Sequence, residues 1–111
     1  MIHLIRSRAT KQQMEEMCQT LGAYIKLAVD VRRGVVAGGG ELHADCEQLL
    51  LEDGSRQEDL WGADWNPRAQ QVTFEALINI RPGQGNRSMV ILDATIRERV
   101  AHTVRSLLGD M

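Results

Sequence analysis

Residues 24–37 read YIKLAVDVRRGVVA, and this stretch decides the fold because alternating apolar residues lead into a turn and a second apolar run. From Ile25 to Val31 every second side chain is apolar and points to one side of an extended chain. The residues between them, including Lys26, point to the other side. Because RRG at 32–34 is typical of a tight turn before the apolar residues 35–37, the stretch predicts a β-hairpin.

Two amphipathic helices are predicted outside these strands. Thr10 and Gln13 have the spacing of a capping box and precede an apolar stripe that ends before Gly22. Asp93 is a good N-cap for a C-terminal helix. The apolar residues of that helix recur at helical spacing: Ile96, Val100, Val104, Leu107 and Leu108. A third, short helix is predicted over residues 45–54, with Asp45 as its N-cap.

Further strands are predicted over residues 2–5, within 57–65 and over 72–80, where alternation is most regular. Residues 89–92 fit either a short edge strand or the entry to the last helix. We therefore predict one α+β domain, residues 1–111. It is a single layer of mainly antiparallel sheet, covered on one face by the N-terminal and C-terminal helices, with a short helix after the glycine-rich segment. The other face is left to water or to a binding partner.

Composition excludes several classes of protein. The 111 residues are 43% hydrophobic and 25% charged, which indicates a folded core rather than a disordered chain. A formal net charge of -2 does not favour nucleic-acid binding. No apolar run is long enough to cross a bilayer and no signal-peptide pattern is present, so we expect a cytoplasmic protein without a membrane partner. The spacing of the two cysteines indicates neither a disulfide nor a cysteine zinc site.

Charge is unevenly distributed along the chain. Residues 1–34 carry +3, residues 35–66 carry -7 and residues 67–111 carry +2. Folding brings these blocks together, either as ion pairs between elements or as surface lobes of opposite sign.

The segment GGGELHAD, residues 38–45, is the first candidate for chemistry. On an extended chain Glu41, His43 and Asp45 would share one side, as acid-base work or a divalent ion requires. No second histidine stands nearby, so no metal is assigned. The alternative is structural: Asp45 caps the next helix, His43 bonds a carbonyl and Glu41 is solvated.

The segment RPGQGNRS, residues 81–88, is the second candidate. Its glycine-rich backbone is typical of an anion-binding nest, and its side chains suit a carboxylate or phosphate. The predicted ligand-binding residues are Arg81, Asn86, Arg87 and Ser88, together with Gly39 and Gly40 of the first segment. In the alternative, the loop is a tight connection whose arginines pair with the acidic middle third.

The tryptophans Trp61 and Trp65 lie four residues apart on one strand face. They fit core or dimer packing better than stacking on a nucleic acid, because the neighbouring aspartates repel phosphate.

Three strings carry a family resemblance: GGELHAD, GSRQEDLWG and INIRPGQGNRS. Over residues 24–100 the chain resembles a family of small, uncharacterised prokaryotic proteins known only as a domain of unknown function. The resemblance implies no activity, cofactor or partner, but it places the family pattern in the polar segments.

Two functions follow as hypotheses. The first is a protein that binds a small anionic molecule, or a small enzyme, with a polar cleft between the GGGELHAD and RPGQGNRS segments; no cofactor is implied. Whether the chain is an enzyme stays open. The second is a non-catalytic homodimeric interaction module or a regulator that acts through the acidic middle third.

Overall fold

The structure, a computed structural model, describes residues 1–110 and contains an open sheet of five antiparallel strands with three α-helices. Met111, the last residue of the predicted domain, lies outside the described residues. The strands are β1 (His3–Ile5), β2 (Ile25–Asp30), β3 (Val35–Gly38), β4 (Leu60–Asn66) and β5 (Gln71–Thr73). The helices are α1 (Lys11–Cys18), α2 (His43–Glu52) and α3 (Ala94–Leu108). The α+β class predicted from sequence is confirmed.

The central hairpin forms as predicted, and the sheet order is β1-β3-β2-β4-β5. Asp30 ends β2 and pairs with Val35, which begins β3. The Asp30 carboxylate accepts the amides of Arg32 and Arg33, each at 2.9 Å, which stabilises the turn between the strands.

Both terminal helices cover the same face of the sheet, as predicted. Their apolar residues share one buried cluster with Ile25, Leu27 and Val29 of β2. The capping box of Thr10 and Gln13 is present in α1, and the Asp93 side chain caps α3. These local sequence signals are confirmed.

The other face of the sheet is covered by α2 rather than open to water. A second buried cluster lies there: Ala28, Val35, Ala37, Cys46, Leu50 and Leu60. The helix begins at His43, and its N-cap is Leu42, three residues before the predicted Asp45. The Leu42 side chain makes no capping hydrogen bond. The prediction that Asp45 caps this helix is therefore wrong.

The long strand predicted over residues 72–80 is also wrong beyond Thr73, because its apolar residues pack against different clusters. Phe74 packs against the first cluster and Ile78 against the second, although the two would share a face in a strand. The edge of β4 at Gly62 is paired by a side chain instead. The Asn79 amide accepts from Gly62 N at 2.8 Å and donates to Gly62 O at 3.0 Å.

Candidate functional site

His43 is the first residue of α2, and its imidazole is fixed against β4. Nε2 lies 2.8 Å from Asp64 Oδ1 and 3.2 Å from the carbonyl oxygen of Ala63. Both partners are hydrogen-bond acceptors, so Nε2 carries the proton and donates it. In the neutral ring, Nδ1 is then the basic nitrogen that can accept a proton.

Asp64 links this histidine to two neighbouring strands. Its second carboxylate oxygen is 3.4 Å from the Thr73 hydroxyl of β5, and Lys26 of β2 lies directly opposite it in the strand register. Residues opposite each other on neighbouring strands share a face, and this is the face that α2 covers. The sheet therefore brings a carboxylate, an imidazole and an ammonium group to the start of α2.

A cavity of about 280 Å³ adjoins these groups, and we name it the α2 cavity. It lies between the start of α2 and the segment that follows β5. Its lining residues are Lys26, Leu42, His43, Ala44, Ala76, Leu77, Ile78 and Met89. Lys26 Nζ donates to the carbonyl oxygen of Glu41 at 3.0 Å, and Lys26 takes part in no ion pair within residues 1–110. Its ammonium group therefore makes no direct contact with a carboxylate of the described chain.

Glu41 and Asp45 do not join His43 on one side of an extended chain. His43 and Asp45 lie two residues apart on a helix, where such side chains point in nearly opposite directions. Both carboxylates are exposed. The predicted alternation fails because the helix begins earlier than the sequence signal indicates. Within the described chain, no group of three His, Cys, Asp or Glu side chains is arranged to hold a metal ion.

Arg81 is bound by its own chain. Its guanidinium donates to the carbonyl oxygens of Ile78 at 3.0 Å and Gln57 at 2.6 Å, and it pairs with Glu47 Oε2 at 3.1 Å. It also lies over the Trp61 ring, 5.0 Å from the centroid. The two predicted segments therefore approach each other, but through Glu47 of α2 rather than through the GGGELHAD residues themselves.

The RPGQGNRS loop uses its polar groups internally. The amides of Gln84, Gly85 and Asn86 all donate to carbonyl oxygens of the same loop, so these three amides do not form an open anion nest. The buried Asn86 side chain bonds four backbone groups: the carbonyl oxygens of Asn79, Ser88 and Val90 and the amide of Leu92. Ser88 Oγ accepts the Val90 amide at 3.0 Å. Arg87 is exposed.

Gly39 and Gly40, which the sequence predicts as ligand-binding residues, are approached closely by other parts of this chain. Gly39 has a φ of +101°, and a Cβ there would lie 2.2 Å from the carbonyl oxygen of Met1. A Cβ at Gly40 would lie 3.2 Å from Cys46 Sγ. Both glycines let the N-terminus and α2 pack against the end of β3.

Comparison with known families gives a match over most of the chain. Residues 3–107 match the family described as protein of unknown function (DUF5674). The chain belongs to the DUF5674 family. Comparison with curated proteins gives no match, and comparison with solved structures gives none. The DUF5674 match confirms the family resemblance and extends it to the N-terminal helix.

Two residues of this DUF5674 chain that complete the His43 site were not predicted as site residues. Asp64 and Lys26 both occupy the polar side of an alternating strand, and that signal could have placed them on one face. The sequence does not show that α2 packs on the same face. In addition, none of the helices in the described part of the chain combines the length and apolar character needed to cross a bilayer.

Proposed function

We propose that this protein binds a small anionic molecule in the α2 cavity and that His43 exchanges a proton with it. The observation that carries the proposal is the geometry of His43. Asp64 and the Ala63 carbonyl fix Nε2 as a donor, while the imidazole lines a cavity that also contains an ammonium group.

The chemistry follows from the roles of three groups. Nδ1 of His43 accepts a proton from the ligand or from a water molecule, and the Asp64 carboxylate stabilises the imidazolium that forms. The Lys26 ammonium attracts the negative charge of the ligand. This set is suited to acid-base chemistry, and binding without reaction uses the same contacts.

The site differs from the polar cleft inferred from sequence. Arg81 and Asn86 have their hydrogen bonds satisfied by the protein, so they support the wall of the site and do not contact the ligand in this proposal. Of the sequence candidates, His43 is the residue to which the proposal assigns ligand contact.

The test is a titration of the isotope-labelled protein with acetate and butanoate, followed through the ring nitrogens of the histidines. We expect the His43 signals to shift and those of the exposed His102 on α3 to stay unchanged. His43→Ala and Lys26→Ala should abolish the backbone shifts around residues 42–44, while His102→Ala and Lys11→Ala should retain them. Equal shifts at His43 and His102, or none at either, would contradict the proposal.

A second candidate is a symmetric homodimer, favoured by exposed apolar side chains at the rim of the α2 cavity and on the segment that borders it. Those exposed by 37% or more are Leu42, Leu77, Ile80, Met89, Val90 and Leu92. The two tryptophans do not contribute, since both are buried in the core. Light scattering should show a dimer that Leu77→Asp dissociates and Tyr24→Asp, another exposed site, does not. A monomer at every concentration would exclude this candidate.

We also propose a bacterial cytoplasmic location. Both cysteines are free thiols, as a reducing compartment favours. Burial raises the pKa of the Cys46 thiol to about 11, so this group stays protonated and inert.

A further inference from the structure

We infer that the ligand of the α2 cavity is a short aliphatic monocarboxylate, an inference that rests on the proposed function. The lining supports this chemistry directly. Apart from the Lys26 ammonium and the His43 imidazole, the lining side chains are all apolar. Cavities bind ligands whose polar groups match the few polar groups they present.

The charged groups at the site limit the charge of the ligand's head group. Lys26 supplies one positive charge without a carboxylate partner in residues 1–110, and His43 supplies one hydrogen-bonding nitrogen. A carboxylate only accepts hydrogen bonds, so Nδ1 of His43 binds it after taking up a proton. The Lys26 ammonium, the His43 imidazolium and the Asp64 carboxylate then sum to one positive charge, which suits a carboxylate with a single charge. A phosphate monoester with nearly two charges and three acceptor oxygens would leave acceptors unpaired in an apolar site.

The volume of the α2 cavity limits the length of the ligand's aliphatic chain. At roughly 30 Å³ for each water-sized group, 280 Å³ accommodates about nine non-hydrogen atoms. Hexanoate has about this size. Leu77 and Met89, exposed by 71% and 37%, gain apolar contact when such a chain lies against them.

A larger hollow of about 570 Å³ beside Arg81 provides a contrast. Arg81 and Glu47 line it as an ion pair, together with Gln57, Glu58 and Gln84, so its lining is mainly polar and, among the described residues, its one unpaired charge, on Glu58, is negative. Ile78 lines both cavities, but the cavities differ in charge and polarity. We therefore expect an aliphatic carboxylate to bind in the α2 cavity.

The experiment is a calorimetric and NMR titration with acetate, butanoate, hexanoate, octanoate and decanoate, and with inorganic phosphate. We expect affinity to rise by about twofold to fourfold per methylene, the increment for partial to full burial of a methylene, and to level off near octanoate. N-acetyl-leucine is included to represent the C-terminus of a polypeptide. Tighter binding of hexanoate than of N-acetyl-leucine supports a free aliphatic carboxylate, whereas tighter binding of N-acetyl-leucine would overturn this inference and assign the site to the C-terminus of a polypeptide.

Substitutions separate the contribution of the ligand's carboxylate to affinity from the contribution of its aliphatic chain. Leu77→Ser should remove most of the gain from acetate to hexanoate and leave acetate binding unchanged, whereas Val90→Ser, exposed by 40% and outside the cavity lining, should change neither. Because Leu77 is largely exposed, its replacement leaves the fold intact.

The outcomes distinguish this inference from the proposed function. If acetate shifts His43 but affinity does not depend on chain length, or phosphate binds more tightly than hexanoate, the inference is wrong and the anion site stands. If no anion shifts His43, both are wrong.

Discussion

At the scale of single residues, Arg81 holds three segments of the chain together. Its guanidinium joins Glu47 on α2 to the backbone at Gln57 and Ile78. Burial lowers the pKa of Arg81, and the negative charge of Glu47 opposes this effect. The side chains of Arg81 and Glu47 are only 10% and 12% exposed, so each depends on the other for its charge to be compensated.

We predict that Arg81→Ala lowers the free energy of unfolding by about 3 kcal/mol, because it leaves the Glu47 carboxylate without its partner. Urea denaturation at neutral pH measures this change. Arg87→Ala, in the same loop but exposed, should stay within about 0.5 kcal/mol of the wild type. Equal effects of the two substitutions would show that Arg81 has no special structural role.

The Asn79 side chain pairs with the backbone of β4 at Gly62, where a neighbouring strand would otherwise pair. Its side-chain amide pairs with both backbone groups of Gly62, and Nδ2 also lies 3.1 Å from the carbonyl oxygen of Met89. Asn79→Ala should cost about 3 kcal/mol, since it leaves buried backbone groups unpaired. Asn66→Ala removes one bond in an exposed turn and should cost about 1 kcal/mol or less. The idea fails if denaturation gives the same stability for both variants.

At the scale of elements, α2 begins without a side-chain cap. Leu42 already has the extended backbone that an N-cap needs, with φ -125° and ψ 146°. Leu42→Ser should therefore raise the free energy of unfolding by about 1 kcal/mol, because the hydroxyl accepts a free amide of the first turn. Leu92→Ser is the control: Leu92 is similarly exposed, but Asp93 already caps α3. No gain from Leu42→Ser in thermal or urea unfolding would contradict this account.

Strand β4 and the segment after β5 pack without space for one extra carbon. A Cβ at Gly62 would lie 2.5 Å from Ala76 Cβ, whereas Gly83 has no atom within 4 Å of that position. We predict that Gly62→Ala costs about 1–3 kcal/mol through overpacking. Gly83→Ala should be neutral or slightly stabilising. Comparable unfolding midpoints for the two variants would count against the tight packing.

Elements with local signals could be predicted from the sequence, and contacts between distant segments could not. Thr10 and Asp93 cap helices through neighbours two or three residues away, so their spacing is visible in the chain. Residues 74–80 alternate like a strand, but Asn79 pairs with Gly62, seventeen residues away, and this pairing has no local pattern. His43 was predicted as a site residue, yet its partner Asp64 is set by the packing of α2 on β4.

At the scale of the whole molecule, part of the uneven charge of the sequence is paired within the fold. The acidic middle third meets basic residues of both flanks: Asp53 pairs with Arg6 and Arg33, Asp59 with Arg32, and Glu47 with Arg81. These three carboxylates are engaged internally and do not contribute to an acidic surface lobe. Ion pairs between elements were one of the two arrangements expected from the sequence.

Acid should destabilise the protein through these carboxylates. Burial by itself would raise the pKa of Asp30, but hydrogen bonds from Arg33, Ser55 and the Arg32 amide outweigh it and lower the pKa. The Arg6 and Arg33 side chains lower the pKa of Asp53. A carboxyl whose pKa is lower in the folded state stabilises the fold above its unfolded value, about 3.9, and loses that contribution as pH falls through the folded value.

We predict that the free energy of unfolding falls as pH decreases below about 4. Asp30→Asn should be less stable than the wild type at pH 7 and should approach it in strong acid, since the lost contribution is then absent from both. Denaturation at a series of pH values measures this, and Glu15→Gln, on the exposed side of α1, should run parallel to the wild type. If the free energy of unfolding of Asp30→Asn instead runs parallel to that of the wild type at all pH values, Asp30 does not cause the loss of stability in acid.

Burial of both tryptophans has an optical consequence. Trp61 and Trp65 are 2% and 0% exposed and belong to one cluster, and the Trp65 Nε1 is buried without a hydrogen-bond partner in the described chain. A tryptophan side chain that is shielded from water has its fluorescence emission maximum at short wavelength. The maximum shifts to longer wavelength when water reaches the indole. The intrinsic tryptophan fluorescence therefore reports unfolding of the core without any added label.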